Sequence, residues 1–242
     1  MKMAASILRH LGREPLGAAC VASCFFVFSV GAADGAKNFS GGLAPLPLEL
    51  PAPTIKGTPP DNPAKGPNIE PLDLLKVRPP FLAPAGVQNV ALKKKVTVSD
   101  PKPRNGEPAQ LTDGSKEAND DDVLELYRGV QWVQVDLEGP QQIHALVIWL
   151  DHRYYQIIHD VVVQVADDAA FTKNVRTLFN NDSDNSAKLG IGTDKEYWET
   201  KEGKLIDAKG ATARFVRCTT NGGSENGVNC YTELEVWSLP AK

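Results

Sequence analysis

From Asn89 onward, apolar segments of roughly five to eight residues recur, separated by Gly, Pro, Asn and Asp, a texture that predicts the strands and turns of an all-β domain. Strands are expected near 89–98, 123–127, 131–137, 142–150, 160–166, 175–179, 196–200, 204–206, 212–219 and 230–238. Val133, Val135 and Leu137 alternate with Trp132, Gln134 and Asp136, the pattern of a strand with one face on a core. Ile143–Leu150 is apolar on both parities, which predicts a central strand. Tyr127-Arg128-Gly129 predicts the turn between the second and third strands. No stretch of a dozen residues here carries a 3.6-residue period. About 150 residues is enough chain for one sandwich core.

The first third reads differently. Lys2, Arg9 and Arg13 form a basic start, Leu16–Val30 is apolar, and Gly31-Ala32-Ala33 supplies small residues for cleavage. This predicts an export signal over 1–33, its apolar core of about 15 residues being short of the ~20 that span a bilayer. Two alternatives stand beside it, an uncleaved signal anchor and lipid attachment at Cys24 within Val21-Ala22-Ser23-Cys24; Phe25–Val30 continues the apolar core past Cys24 and counts against the second. Membrane contact is expected only through such an anchor or lipid. Residues 34–86 are rich in proline, from Pro45 to Pro84. Proline fixes φ and removes a donor, so this segment reads as an extended, mostly disordered linker ahead of a domain at 87–239. The alternative is that it wraps over the domain, docking through Leu72, Leu74, Leu75 and Val77.

A net charge of -4 provides no basic field for a phosphate backbone, which argues against a nucleic-acid partner. Export permits disulfides, and Cys218 and Cys230 remain once the signal is gone. If Val216 faces the core, so does Cys218; if Leu234 and Val236 face it, so do Thr232 and Cys230. A disulfide is therefore expected, closing a loop of about 13 residues worth ~3 kcal/mol. Two buried free thiols are the alternative.

Candidate chemistry concentrates in loops. Between two apolar runs lie His152, Arg153, Tyr154, Tyr155 and His159. Polar and aromatic side chains at the end of a stiff sheet suit a binding loop. Arg153 supplies a planar fork for paired hydroxyls, Tyr154 or Tyr155 a face for the C–H patch of a sugar, and His152 a further donor. The loop 221–229 adds amides and glycines, with Asn221, Asn226 and Asn229 as candidate ligand-binding residues. The competing reading packs the tyrosines on a neighbouring sheet and spends the asparagines on turns. The spacing of His152 and His159 matches no established zinc pattern. Asp182-Ser183-Asp184-Asn185-Ser186 lacks the Gly and Glu of a calcium loop, having Ala187 and Thr193 there, and reads as a surface turn.

Several segments, in order, resemble discoidin domains, also called coagulation-factor type C domains. They are Asn89–Leu92 with Val96–Ser99, Leu111-Thr112-Asp113-Gly114, Trp132–Leu137, Val163–Asp168 with Phe171, Ala213–Arg217 and Glu233–Val236. The resemblance implies a galactose-binding-like, antiparallel jelly-roll β-sandwich over about 89–238. It further implies non-catalytic binding of sugars, lipid head groups or proteins at surfaces. It also implies a structural Ca²⁺ held by Asp113 and Glu233 with loop carbonyls. The chain departs from the family where a Thr is usual, at Ala118, and in having Asn119, Asp120, Asp121 and Asp122 after it. Those acids either supply replacement oxygens or form a solvated turn.

Nothing resembles a nucleophile elbow, a phosphate loop or a zinc-protease helix. The expected function is a non-catalytic module, secreted or in the periplasm or cell envelope, that recognises a glycan or another cell-surface ligand through rim loops. A protein-interaction or adhesion module, an accessory to a carbohydrate-active enzyme and a ligand-free spacer are the alternatives.

Overall fold

Two long bent strands organise the domain. The computed structural model describes residues 42–53 and 55–240, so the export signal and the start of the linker lie outside the described residues. Chain order gives β1 Leu43–Pro45, β2 Leu82–Pro84, β3 Gln88–Asn89, β4 Val96–Val98, a 3-10 turn Pro108–Thr112, β5 Leu124–Leu126, β6 Gln131–Leu150, β7 Val162–Ala166, β8 Arg176–Asn180, β9 Lys204–Thr220 and β10 Asn229–Ser238. β6 and β9 pair antiparallel along almost their whole length, from Gln131↔Thr220 to Ile148↔Lys204. Their outer ends recruit different partners. The first half of β6 takes β4, and the second half of β9 takes β7, which takes β8. The second half of β6 takes β10, which carries β3 and β5. The result is the expected all-β, antiparallel jelly-roll sandwich, with the strands of both layers closing on one core of Val133, Val135, Val163, Val216, Leu146, Ile148, Leu234 and Val236.

The strand pairs 131–137 and 142–150, and 204–206 and 212–219, were expected as separate elements; each is one continuous strand. Glu138-Gly139-Pro140 looks like a break, but the ladder skips from Asp136↔Phe215 to Gln141↔Ala213, and Pro140, which has no N–H to donate, falls in the skipped stretch. Conversely, 89–98 splits into β3 and β4. The Asn89 side chain accepts the N–H of Ala91 at 3.1 Å, and Lys93 adopts φ 58, so the chain turns there. Residues 196–200 form isolated bridges, Glu196↔Ile69 and Trp198↔Ile157, each to a different segment of the chain.

Part of the proline-rich segment packs on the sandwich. β1 pairs with β2, and Leu46, Leu48 and Phe81 lie against Ala145, Val147, Trp149 and Trp237 on the outer face of β6 and β10. This explains why β6 is apolar on both parities: the second face is covered by the strap. Of the four residues of the docking alternative, Leu74, Leu75 and Val77 stay exposed, at 51%, 90% and 79%, whereas Leu72 is half-buried.

The expected disulfide is corrected. Cys218 and Cys230 are both free and buried. β6 separates β9 from β10, so the two strands are not neighbours. The parity argument fails at an irregularity between Tyr231 and Glu233. There Tyr231, not Cys230, takes the core side with Cys218, while Cys230 joins Ala118, Val123 and Val228 in a separate cluster. Burial pushes both thiols above their ordinary pKa.

Candidate functional site

The loop after β6 and the loop between β9 and β10 interlock at one end of the sandwich. Ile158 bridges Gly223. The N–H of His159 donates to the Gly222 carbonyl at 2.8 Å, that of Asn221 to the His159 carbonyl at 2.9 Å, and that of Ser224 to the Ile157 carbonyl at 2.9 Å. Glycine is required at 222, where φ is +85° and a Cβ would fall 2.7 Å from the Gly227 carbonyl oxygen. The loop between β8 and β9 joins them through Trp198↔Ile157 and the Glu199 N–H, which donates to Gln156 at 2.9 Å.

At this rim the polar groups meet. His159 Nδ1 lies 2.7 Å from Glu196 Oε1, and that hydrogen bond holds the imidazole pKa above its ordinary value. Asp160 accepts from Asn221 Nδ2 at 2.9 Å and from the Ser186 hydroxyl. The carboxylates of Asp160, Asp182 and Asp184 converge within 4.8 Å. The run 182–186 is thus not wholly a surface turn: Asp182 is buried, and its two oxygens accept the N–H groups of Ser186 and Ala187 at 3.0 and 2.9 Å. His159, Asp160, Ser186 and Glu196 were not singled out as sugar contacts. The available signal was that His159-Asp160 ends the same loop that His152 begins.

Of the expected ligand-binding residues, three are buried. Arg153, expected as a free fork, is 4% exposed. Its Nε and NH2 donate to the two oxygens of Asp151 at 2.8 and 2.9 Å, NH1 to Asp120 at 2.8 Å and NH2 to Glu125 at 3.2 Å. The Asp151 bonds foremost raise its pKa. Loop sequence alone cannot reveal this, because three carboxylates from three segments converge only in the fold. His152 is buried with Nε2 3.0 Å from the Lys116 carbonyl, and burial lowers its pKa. Asn229 ties loops together, donating to Tyr127 and Gly129 carbonyls at 2.7 and 2.9 Å and accepting from Thr220 Oγ1 and Gly222 N–H, both at 2.6 Å. Tyr154, under the Arg153 guanidinium at 5.5 Å, and Tyr155 are half-buried. Asn221 is half-buried at the acidic cluster; Asn226 is exposed and caps Val228 N–H at 3.0 Å.

Glu233 is fully buried. Its Oε2 accepts from Gly114 N–H at 3.3 Å, while its Oε1 has no hydrogen-bond partner. Burial, and then the charges of Glu235 and Asp113, push its pKa up to about 9. Asp113 ends the 3-10 turn, exposed, and accepts from Ser115 N–H at 2.7 Å.

No protein-family model and no curated protein matches the chain. Solved structures do. A chitosan-binding module from a chitosanase/glucanase of Paenibacillus sp. IK-5 is 20% identical, covering 62% of this chain and 98% of its own, with a TM-score of 0.42. A CBM32 module produced by Clostridium perfringens, in complex with GlcNAc-α-1,4-galactose, is 18% identical over 64% and 97%, TM-score 0.43. A fucose-binding module of Streptococcus pneumoniae is 17% identical over 63% and 99%, TM-score 0.43.

Proposed function

We propose that this protein is a non-catalytic carbohydrate-binding module, exported to the cell envelope or beyond, whose ligand lies on the rim of interlocked loops. The observation that carries this reading is the cluster of Asn221, Asp160 and Ser186 beside His159 and Glu196. Vicinal hydroxyls each need a donor and an acceptor, and an amide, carboxylates and an imidazole supply both. Tyr154 and Tyr155 add aromatic faces to the same loop. His152, Arg153 and Asn229 act as positioning residues beneath it. The ordered resemblance to discoidin domains supports the same class of activity.

A glycan array probed with the full chain tests the reading. Selective binding is expected, weakened at least tenfold by Asn221→Ala and by Tyr154→Ala with circular dichroism unchanged. Released reducing ends should stay at background. A blank array overturns the proposal, and a specific protein captured by the same rim would put the adhesion alternative in its place.

We also propose a structural Ca²⁺ beside Glu233. A buried carboxylate with one unpartnered oxygen, bonded to the turn that carries Asp113, has the hard-oxygen character this cation takes. A bound cation would hold Glu233 ionised and satisfy its free oxygen. Calcium at about 100 times its Kd should add ~2.7 kcal/mol, read as a melting temperature several degrees above that in EDTA. Glu233→Gln should lose the response; a wild-type melting curve indifferent to calcium removes the ion from the account.

A further inference from the structure

Between the strap and the chain leading into β9 lies a second cleft, of about 220 Å³ and remote in sequence from the rim loops' Asn221. Its charged lining is Glu70, Asp73 and Glu202 against Lys76, Arg78 and Lys204. The signs balance, so the cleft offers no net field to an ionic ligand. Donors and acceptors are nonetheless dense. Glu70 holds both Lys76 and Lys204 at 3.0 Å, whereas Arg78 and Glu202 stand 3.9 Å apart, longer than a hydrogen bond. Arg78 NH1 donates to the Gly203 carbonyl at 3.2 Å, which leaves its NH2 and Glu202 to be bridged by a ligand hydroxyl. Trp198 also lines the cleft, and its indole Nε1 is buried with no hydrogen-bond partner. The aromatic surface of Trp198 and a loosely held ion pair in a charge-neutral pocket match a neutral, hydroxyl-rich ligand.

We propose that this cleft is a second carbohydrate subsite, taking one neutral sugar unit, and that the strap is there to form one of its walls. The strap is held in place for this: Ile69 bridges Glu196, and the Glu70 N–H donates to the Glu196 carbonyl at 2.8 Å. The proposal takes its ligand class from the rim reading; none of its lining residues belongs to the rim cluster, although the strap is anchored on Glu196.

The test is an NMR titration of the full chain with a panel of neutral sugars: galactose, glucose, mannose, xylose, fucose and their β-linked disaccharides. The readout is the indole resonance of Trp198, assigned with Trp198→Phe; the other three tryptophans, Trp132, Trp149 and Trp237, serve as controls. At least one panel member should shift the Trp198 indole saturably. The shift should persist in Asn221→Ala, and its apparent Kd should rise at least tenfold in Arg78→Ala and severalfold in the surface variant Lys76→Ala. A Trp198 resonance unmoved by every sugar, or moved equally in Arg78→Ala, overturns the proposal. Rim amides that shift while Trp198 stays still leave the rim reading standing and remove the cleft; the converse removes the rim and keeps the cleft.

Discussion

Arg153→Ala is expected to cost the domain about 3–5 kcal/mol, the range for removing one partner of a buried ion pair. Asp151 is fully buried, and Arg153 satisfies both of its carboxylate oxygens. Truncation strands that charge and loosens Glu125 and Asp120, which the same guanidinium draws in. Against a typical domain stability of about 5–15 kcal/mol, this removes a large share. Arg153→Lys should recover little, because an ammonium cannot reproduce the planar fork. Arg153→Met with Asp151→Asn should recover more, because the uncompensated charge goes with its partner. Urea midpoints decide it. An Arg153→Ala protein that unfolds with the wild type, but fails to bind sugar, would show that the guanidinium faces the ligand after all.

The same residue marks the line between what the sequence discloses and what it withholds. Alternation in Val133–Leu137 and the unbroken apolar run Ile143–Leu150 gave strands in the right places, because period 2 and two-sided burial are local facts. Where sequence reading failed, the cause was usually one residue of register or one distant partner. The irregularity between Tyr231 and Glu233 reversed the parity behind the disulfide. Pro140 passed for a break because nothing local reveals a skipped ladder. The strap's anchoring leucines, Leu46 and Leu48, are lost among prolines, and only their contact with Trp149 and Trp237 gives them meaning. The two candidate loops do meet, yet which of their polar side chains turn inward depends on carboxylates more than twenty residues away.

The domain should also lose stability as pH rises from 5 to 8, with Glu199 and Glu233 the main causes. The Glu199 carboxyl is 1% exposed, and neither of its oxygens has a hydrogen-bond partner. Burial foremost, with the charge of Asp151 adding and Lys204 opposing, pushes its pKa up to about 8 from 4.5. The native state therefore keeps a proton that the unfolded chain releases above about pH 4.5, so unfolding is favoured by each further step of alkalinity until the native group also ionises near pH 8. Over pH 5 to 8 the loss from Glu199 alone is roughly 3–4 kcal/mol. Glu199→Gln, which keeps the shape and cannot ionise, should match the wild type at pH 5 and exceed it at pH 8. A slope of the same sign and comparable size should survive in the variant, because Glu233 keeps its own raised pKa. His159, whose pKa is raised by Glu196, contributes stability that is complete below its unfolded value of 6.5 and fades as pH climbs through its native one. Parallel pH profiles for wild type and Glu199→Gln, followed by urea denaturation in EDTA, would mean that Glu199 is ionised at pH 8 at no cost, and hence that water reaches it beneath the rim.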